Sequence, residues 1–154
     1  MRGVYEAIIS ISGLNSARTL IYLTAPSTSA VEILSASVTN KSYTTNEQHE
    51  VSFHKVSSLG TPTATTITPT RTEQGSSAAS STVKGNVTAS EPTYTSAPNI
   101  EVGREGYASL GGWRYQPLPE ERLTIAGGDT WGIRMLSTPT SFDSIVRLVF
   151  RELG

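Results

Sequence analysis

The stretch Ser144-Ile-Val-Arg-Leu-Val-Phe-Arg-Glu152 has the clearest strand pattern in this sequence. Its apolar residues Val146, Leu148 and Phe150 recur at every second position, and Arg147 lies between two of them. Successive side chains of an extended chain point to opposite faces, so this spacing predicts a β-strand with one buried face. A helix would need apolar residues three and four positions apart.

The same alternation, or a compact apolar run bounded by turn residues, recurs along most of the chain. Further strands are predicted in Val4–Ser12, Arg18–Thr24, Ser29–Thr39, Glu47–Val56, Arg122–Ala126 and Trp131–Leu136. With no long helix predicted, the chain is expected to be all-β, a jelly-roll-like antiparallel β-sandwich with at most one short helix. Its 154 residues suit a single domain spanning residues 1–154.

The middle of the chain, residues 57–98, has a different composition. It holds 19 of the 42 Ser and Thr residues. Thr63–Thr70 and Asn86–Thr95 are candidate strands, and Glu73–Val83 is a candidate short helix with a Ser cap. Low hydrophobicity also fits a disordered linker, so this segment is interpreted either as an ordered long loop or as an arm that orders on binding.

Composition excludes several function classes. The chain has no Cys, which excludes disulfides and thiolate metal sites. Its net charge of −1 provides no electrostatic attraction to nucleic acid or to anionic membranes, and neither is an expected partner. No apolar run has the length of a membrane helix, and no signal peptide is recognisable at the start.

Catalytic and metal-binding patterns are missing as well. Glu120 and Glu121 are adjacent, so on an extended chain they would face opposite sides and could not flank one bond. His49 and His54 are five positions apart on one predicted strand, which also separates them. His49 is expected to be half-buried and His54 exposed. We therefore predict no enzyme, no cofactor and no metal.

One group of aromatic and basic residues is a candidate contact surface. It comprises Tyr107, Trp113, Arg114 and Tyr115. Tyr, Trp and Arg are enriched in binding hot spots because they bury large areas and keep a polar group. The alternative is that Trp113 and Tyr115 fill the end of the sandwich core.

The C-terminal third contains the stretch Pro117-Leu-Pro-Glu-Glu-Arg-Leu-Thr-Ile-Ala-Gly-Gly-Asp-Thr-Trp-Gly-Ile-Arg-Met-Leu136, followed by the closing strand Val146–Glu152. In these two stretches the chain is similar to small structural proteins of tailed bacteriophages. Val51–Val56 resembles their histidine-bearing central strand. Thr68–Gly75 and Ser76–Val83 resemble a Thr-Pro strand followed by a small-residue helix.

The resemblance implies a capsid decoration (cement) protein, which coats and stabilises the expanded phage head. Its expected partners are the major capsid protein and two further copies of itself in a homotrimer. It would be made in the host cytoplasm and reside on the exterior of the virion. The alternative function is a glycan- or receptor-binding module of a phage fibre, with Tyr107, Trp113 and Tyr115 as a stacking platform. The resemblance carries no catalytic residues.

Overall fold

The computed structural model describes residues 3–96 and 100–154, and Met1 and Arg2 lie outside it, as do the last two residues of the 57–98 segment. These residues form thirteen strands and one 3-10 turn, Pro119–Glu121. The strands are β1 (Gly3–Leu14), β2 (Arg18–Thr24), β3 (Ala30–Tyr43), β4 (Gln48–Ser58), β5 (Thr63–Ile67), β6 (Thr70–Arg71), β7 (Thr82–Ala89), β8 (Thr93–Tyr94), β9 (Glu101–Ala108), β10 (Gly112–Tyr115), β11 (Thr124–Ile125), β12 (Thr130–Met135) and β13 (Phe142–Leu153). In the described ranges, no helix has the length and hydrophobicity needed to span a bilayer.

The strands form two antiparallel sheets packed face to face. Sheet A has the order β10-β3-β13-β1-β6, and β11 also pairs with β3. Sheet B has the order β5-β7-β2-β12-β4-β8, and β9 also pairs with β4. Eight of the strands form two four-stranded layers, β1-β13-β3-β10 in sheet A and β2-β12-β4-β9 in sheet B, which pack on one core. This is the strand order of an eight-stranded jelly roll, which confirms the predicted fold class.

The core follows from the alternation in the sequence. On β13, Val146, Leu148 and Phe150 are fully or almost fully buried, as predicted. Phe150 stacks on Tyr5 of the neighbouring strand β1, with ring centroids 5.5 Å apart. From the opposite sheet, Ile133 of β12 contributes to the same core.

The 57–98 segment forms strands that extend both sheets. Strands β5 and β7 extend sheet B beyond β2, while β6 pairs with the outer edge of β1. The short helix predicted within Glu73–Val83 is wrong: residues 73–81 are turns and irregular chain, and β7 already begins at Thr82. Gly75 has φ +91°, a conformation incompatible with a right-handed helix.

Candidate contact surface

Three of the four predicted contact residues lie in or against the core. Trp113 and Tyr107 are 1% and 7% exposed, and Tyr115 is half-buried. Trp113 stacks on Tyr115 and donates its indole N–H to the carbonyl oxygen of Gly103 at 2.6 Å. The rings therefore bridge β9 of sheet B and β10 of sheet A, and they do not form an exposed platform for a sugar.

Gly103 makes this packing possible. Its φ is +62°, and an added Cβ would lie 3.0 Å from a ring carbon of Tyr115 and 3.2 Å from one of Trp113. The glycines of Gly103-Arg-Glu-Gly106 are too sparse for a phosphate-binding loop. The first of them instead gives two aromatic rings close access to the backbone of β9.

Arg114 is exposed because the alternation along β10 directs it outward. It pairs with Ser37 of β3, and Ser37 pairs on its other side with Arg147 of β13. Arg147 in turn pairs with Ile8 of β1. These four residues form one row across the outer face of sheet A. This face, the sheet A face, contains a groove of about 260 Å³ lined by Ser35, Ala36, Ser37, Arg114, Gln116 and Arg147.

The sheet A face also carries exposed apolar side chains. Ile8 is 52% exposed. Its diagonal neighbours on β13, Ile145 and Val149, are half-exposed. Arg147 and Glu6 form an ion pair beside them. The face therefore combines apolar side chains with oriented charges, as protein interfaces do.

The opposite face, on sheet B, is covered by the chain itself. The Tyr94 hydroxyl lies over Gly132, where an added Cβ would come within 2.5 Å of it. It is hydrogen-bonded to Thr19 Oγ1 at 2.7 Å, and Thr19 Oγ1 also donates to Glu91 at 2.6 Å. The Arg134 guanidinium lies 4.0 Å from the centre of the Tyr94 ring. Burial raises the pKa of Tyr94 far above its ordinary value, so its hydroxyl stays protonated.

One contact between a serine and a histidine, Ser109 and His49, is not apparent from the sequence. His49 Nε2 lies 3.0 Å from Ser109 Oγ, and the two residues are 1% and 2% exposed. Ser109 Oγ also accepts the Glu47 backbone N–H. The nearest carboxylate oxygen, of Glu47, is 4.0 Å from the same Nε2, whereas Nδ1 has no partner among the described residues. A catalytic triad needs the acid on the opposite ring nitrogen and an accessible hydroxyl, so this cluster holds a loop in place.

The prediction that His54 is exposed is wrong, and His49 is more deeply buried than the half-buried position predicted for it. His54 is half-buried, and its Nε2 donates to the Thr95 carbonyl oxygen at 2.8 Å. It faces outward from sheet B, while His49 faces the core, so the two do not meet. Residues 3–96 and 100–154 contain no group of three side chains suited to a metal ion.

The buried His49 predicts a pH dependence of stability. Burial lowers the pKa of His49, and the Glu47 carboxylate opposes this shift. The unfolded chain, with a histidine pKa of about 6.5, therefore binds protons more readily than the folded chain. The stabilisation is present above about pH 6.5 and is lost as the pH falls. We expect a lower midpoint of thermal unfolding at about pH 5.5 than at about pH 7.5, and a smaller difference in His49→Gln. Parallel pH profiles for the two proteins would contradict this.

Comparison of the chain with protein-family models, with curated protein sequences and with solved structures finds no match.

Proposed function

We propose that this chain is a decoration protein that binds the outer surface of a tailed-phage capsid as a homotrimer and stabilises the expanded shell. The observation that carries the proposal is the contrast between the two outer faces of the sandwich. Tyr94 and its neighbours cover sheet B, whereas the sheet A face leaves Ile8 exposed beside Arg147. One face is available for a flat protein contact, and it is the face that carries apolar side chains.

The size of the sheet A face suits such a contact. Strand β1 has 12 residues. At about 3.3 Å per residue and about 4.8 Å of width per strand, the three long strands β1, β13 and β3 present about 600 Å². One side of a standard protein interface buries about 800 Å². A single sheet face thus supplies most of one protomer's share.

The fold also supports the proposal by analogy. Jelly rolls serve as viral capsid domains, but they also occur in lectins and cupins, so the fold by itself does not assign a function. Together with the sequence resemblance and the uncovered face, it favours a virion surface protein. A protein that binds only the expanded shell stabilises that state by mass action. In a trimer, each contact raises the effective concentration of the next.

The test uses expanded, DNA-free heads and unexpanded heads of the phage that encodes the chain. We expect saturable binding to expanded heads only, measured by co-sedimentation, together with greater resistance of those heads to heat. Ile8→Gln should weaken binding about tenfold or more, since it removes a central apolar contact. Leu110→Gln is the matched control, because Leu110 is 71% exposed and lies in the turn between β9 and β10.

Two outcomes would contradict the proposal. The first is wild-type protein that does not associate with expanded heads. The second is equal weakening by Ile8→Gln and Leu110→Gln, which would exclude the sheet A face as the contact. The trimer is tested separately by sedimentation velocity, in which a monomer at head-saturating concentrations would contradict it.

A further inference from the structure

The groove on the sheet A face brings together hydrogen-bond donors that lack acceptors. Ser35 and Ser37 lie on its floor, with Arg147 on one side and Arg114 and Gln116 on the other. Within the described residues, the Ser35 and Ser37 hydroxyls, the Gln116 amide and the Arg114 guanidinium make no hydrogen bond or ion pair. Several donors without acceptors in one groove can together bind an anionic group, whose oxygens accept their hydrogen bonds.

Arg114 carries an uncompensated charge in this groove. Glu105 and Glu121 line an adjacent groove together with Arg114, but neither forms an ion pair with it. The guanidinium is therefore exposed and solvated, and it can pair with a carboxylate from outside without first breaking an internal contact. An arginine also offers two parallel N–H bonds to one carboxylate.

Arg147 is oriented by a neighbour on its own sheet. Its Nε donates to Glu6 Oε1. This contact occupies one edge of the guanidinium, and the terminal nitrogens have no partner among the described residues. The lining of the groove thus includes two arginines and no acid; Glu6 is bonded to Arg147, and Glu105 and Glu121 line the adjacent groove beside Arg114.

We propose that this groove binds carboxylate side chains of an acidic segment of a partner protein. A groove of about 260 Å³ is smaller than the roughly 300–1,000 Å³ of pockets for drug-sized ligands, so it suits one or two side chains. The arginines and hydroxyls select an oxygen anion, and the apolar side chains around Ile8 suit the flanking peptide. That the partner is a capsid protein rests on the proposed function; the carboxylate site itself does not.

The probe is the peptide acetyl-Ala-Glu-Ala-Glu-Ala-amide, titrated at low salt into the full chain labelled with 15N. The Gln-for-Glu peptide and inorganic phosphate are the comparison ligands. We expect saturable shifts of the Arg114 and Arg147 Nε–H signals with the Glu peptide and none with the Gln peptide. Arg114→Gln should raise the dissociation constant about fivefold or more, with Arg114→Lys between it and wild type.

Lys41→Gln is the control variant, because it removes one exposed positive charge from β3 outside the groove. It should change the dissociation constant less than twofold. Tighter binding of phosphate than of the Glu peptide would overturn the assignment to carboxylates. So would concentration-dependent self-association that Arg114→Gln abolishes, since the groove would then join copies of this chain.

Comparing the peptide titration with the binding to heads separates this inference from the proposed function. If the Glu peptide titrates as expected but heads are not bound, only the proposed function fails. If heads are bound equally by wild type and Arg114→Gln and the peptide does not titrate, only the carboxylate site fails.

Discussion

Replacing Trp113 by alanine is expected to lower the free energy of unfolding by about 4 kcal/mol. The side chain is 1% exposed, stacks on Tyr115 and donates its indole N–H to Gly103. Truncation leaves a cavity between the two sheets and removes a buried hydrogen bond. Denaturant unfolding followed by circular dichroism measures the loss.

The adjacent residue provides the matched control. Arg114 is exposed and has no partner among the described residues, so Arg114→Ala should change the free energy of unfolding by no more than about 0.5 kcal/mol. The two variants thereby separate a core role from a contact role within one short strand. If Trp113→Ala kept wild-type stability and failed to bind expanded heads, the core assignment would be contradicted. The aromatic group would then again be a candidate contact surface.

The period-two alternation was sufficient to predict the sandwich, because the pleat of a strand forces every second side chain to the same face. On β13 the alternation continues through Val146, Leu148 and Phe150 to Glu152, which is also buried. The pattern thus contained a signal for a buried acid at the end of the strand. From the sequence alone, Glu152 is predicted only to belong to the strand.

The candidate surface was predictable only in part. The strand alternation indicates that Arg114 and Trp113 face opposite sides, but not which side is the core. The row Arg114–Ser37–Arg147 depends on the pairing register of three strands far apart in sequence. Local patterns do not encode that register. The cover on sheet B is likewise a long-range contact, between Tyr94 and Gly132.

Glu152→Ala is expected to lower the free energy of unfolding by about 3 kcal/mol or more. The Glu152 side chain is 0% exposed. Its Oε1 accepts the backbone N–H groups of Ser80 and Ser81 at 2.8 and 2.7 Å and the Ser81 hydroxyl at 2.7 Å. Alanine removes the common acceptor of three donors, two of which belong to the buried Ser81, and denaturant unfolding measures the cost.

Two variants test this explanation. Glu152→Gln keeps one carbonyl oxygen in a side chain of the same shape and should recover more than half of the loss, because Oε2 has no partner among the described residues. Glu120→Ala removes an exposed acid from the 3-10 turn and should stay within about 0.5 kcal/mol of wild type. A loss below about 1 kcal/mol in Glu152→Ala would contradict the role of the three bonds.

The same variant distinguishes the two interpretations of the 57–98 segment. Glu152 lies on β13, which pairs with both β1 and β3, and it binds the chain just before β7. If the segment is an integral part of the sandwich, Glu152→Ala should lower the cooperative unfolding transition as a whole. If it is an arm that orders separately, the variant should leave the main transition unchanged while proteases cleave within residues 72–81. The three bonds to one buried oxygen favour the first result, because they couple this segment to a central strand of sheet A.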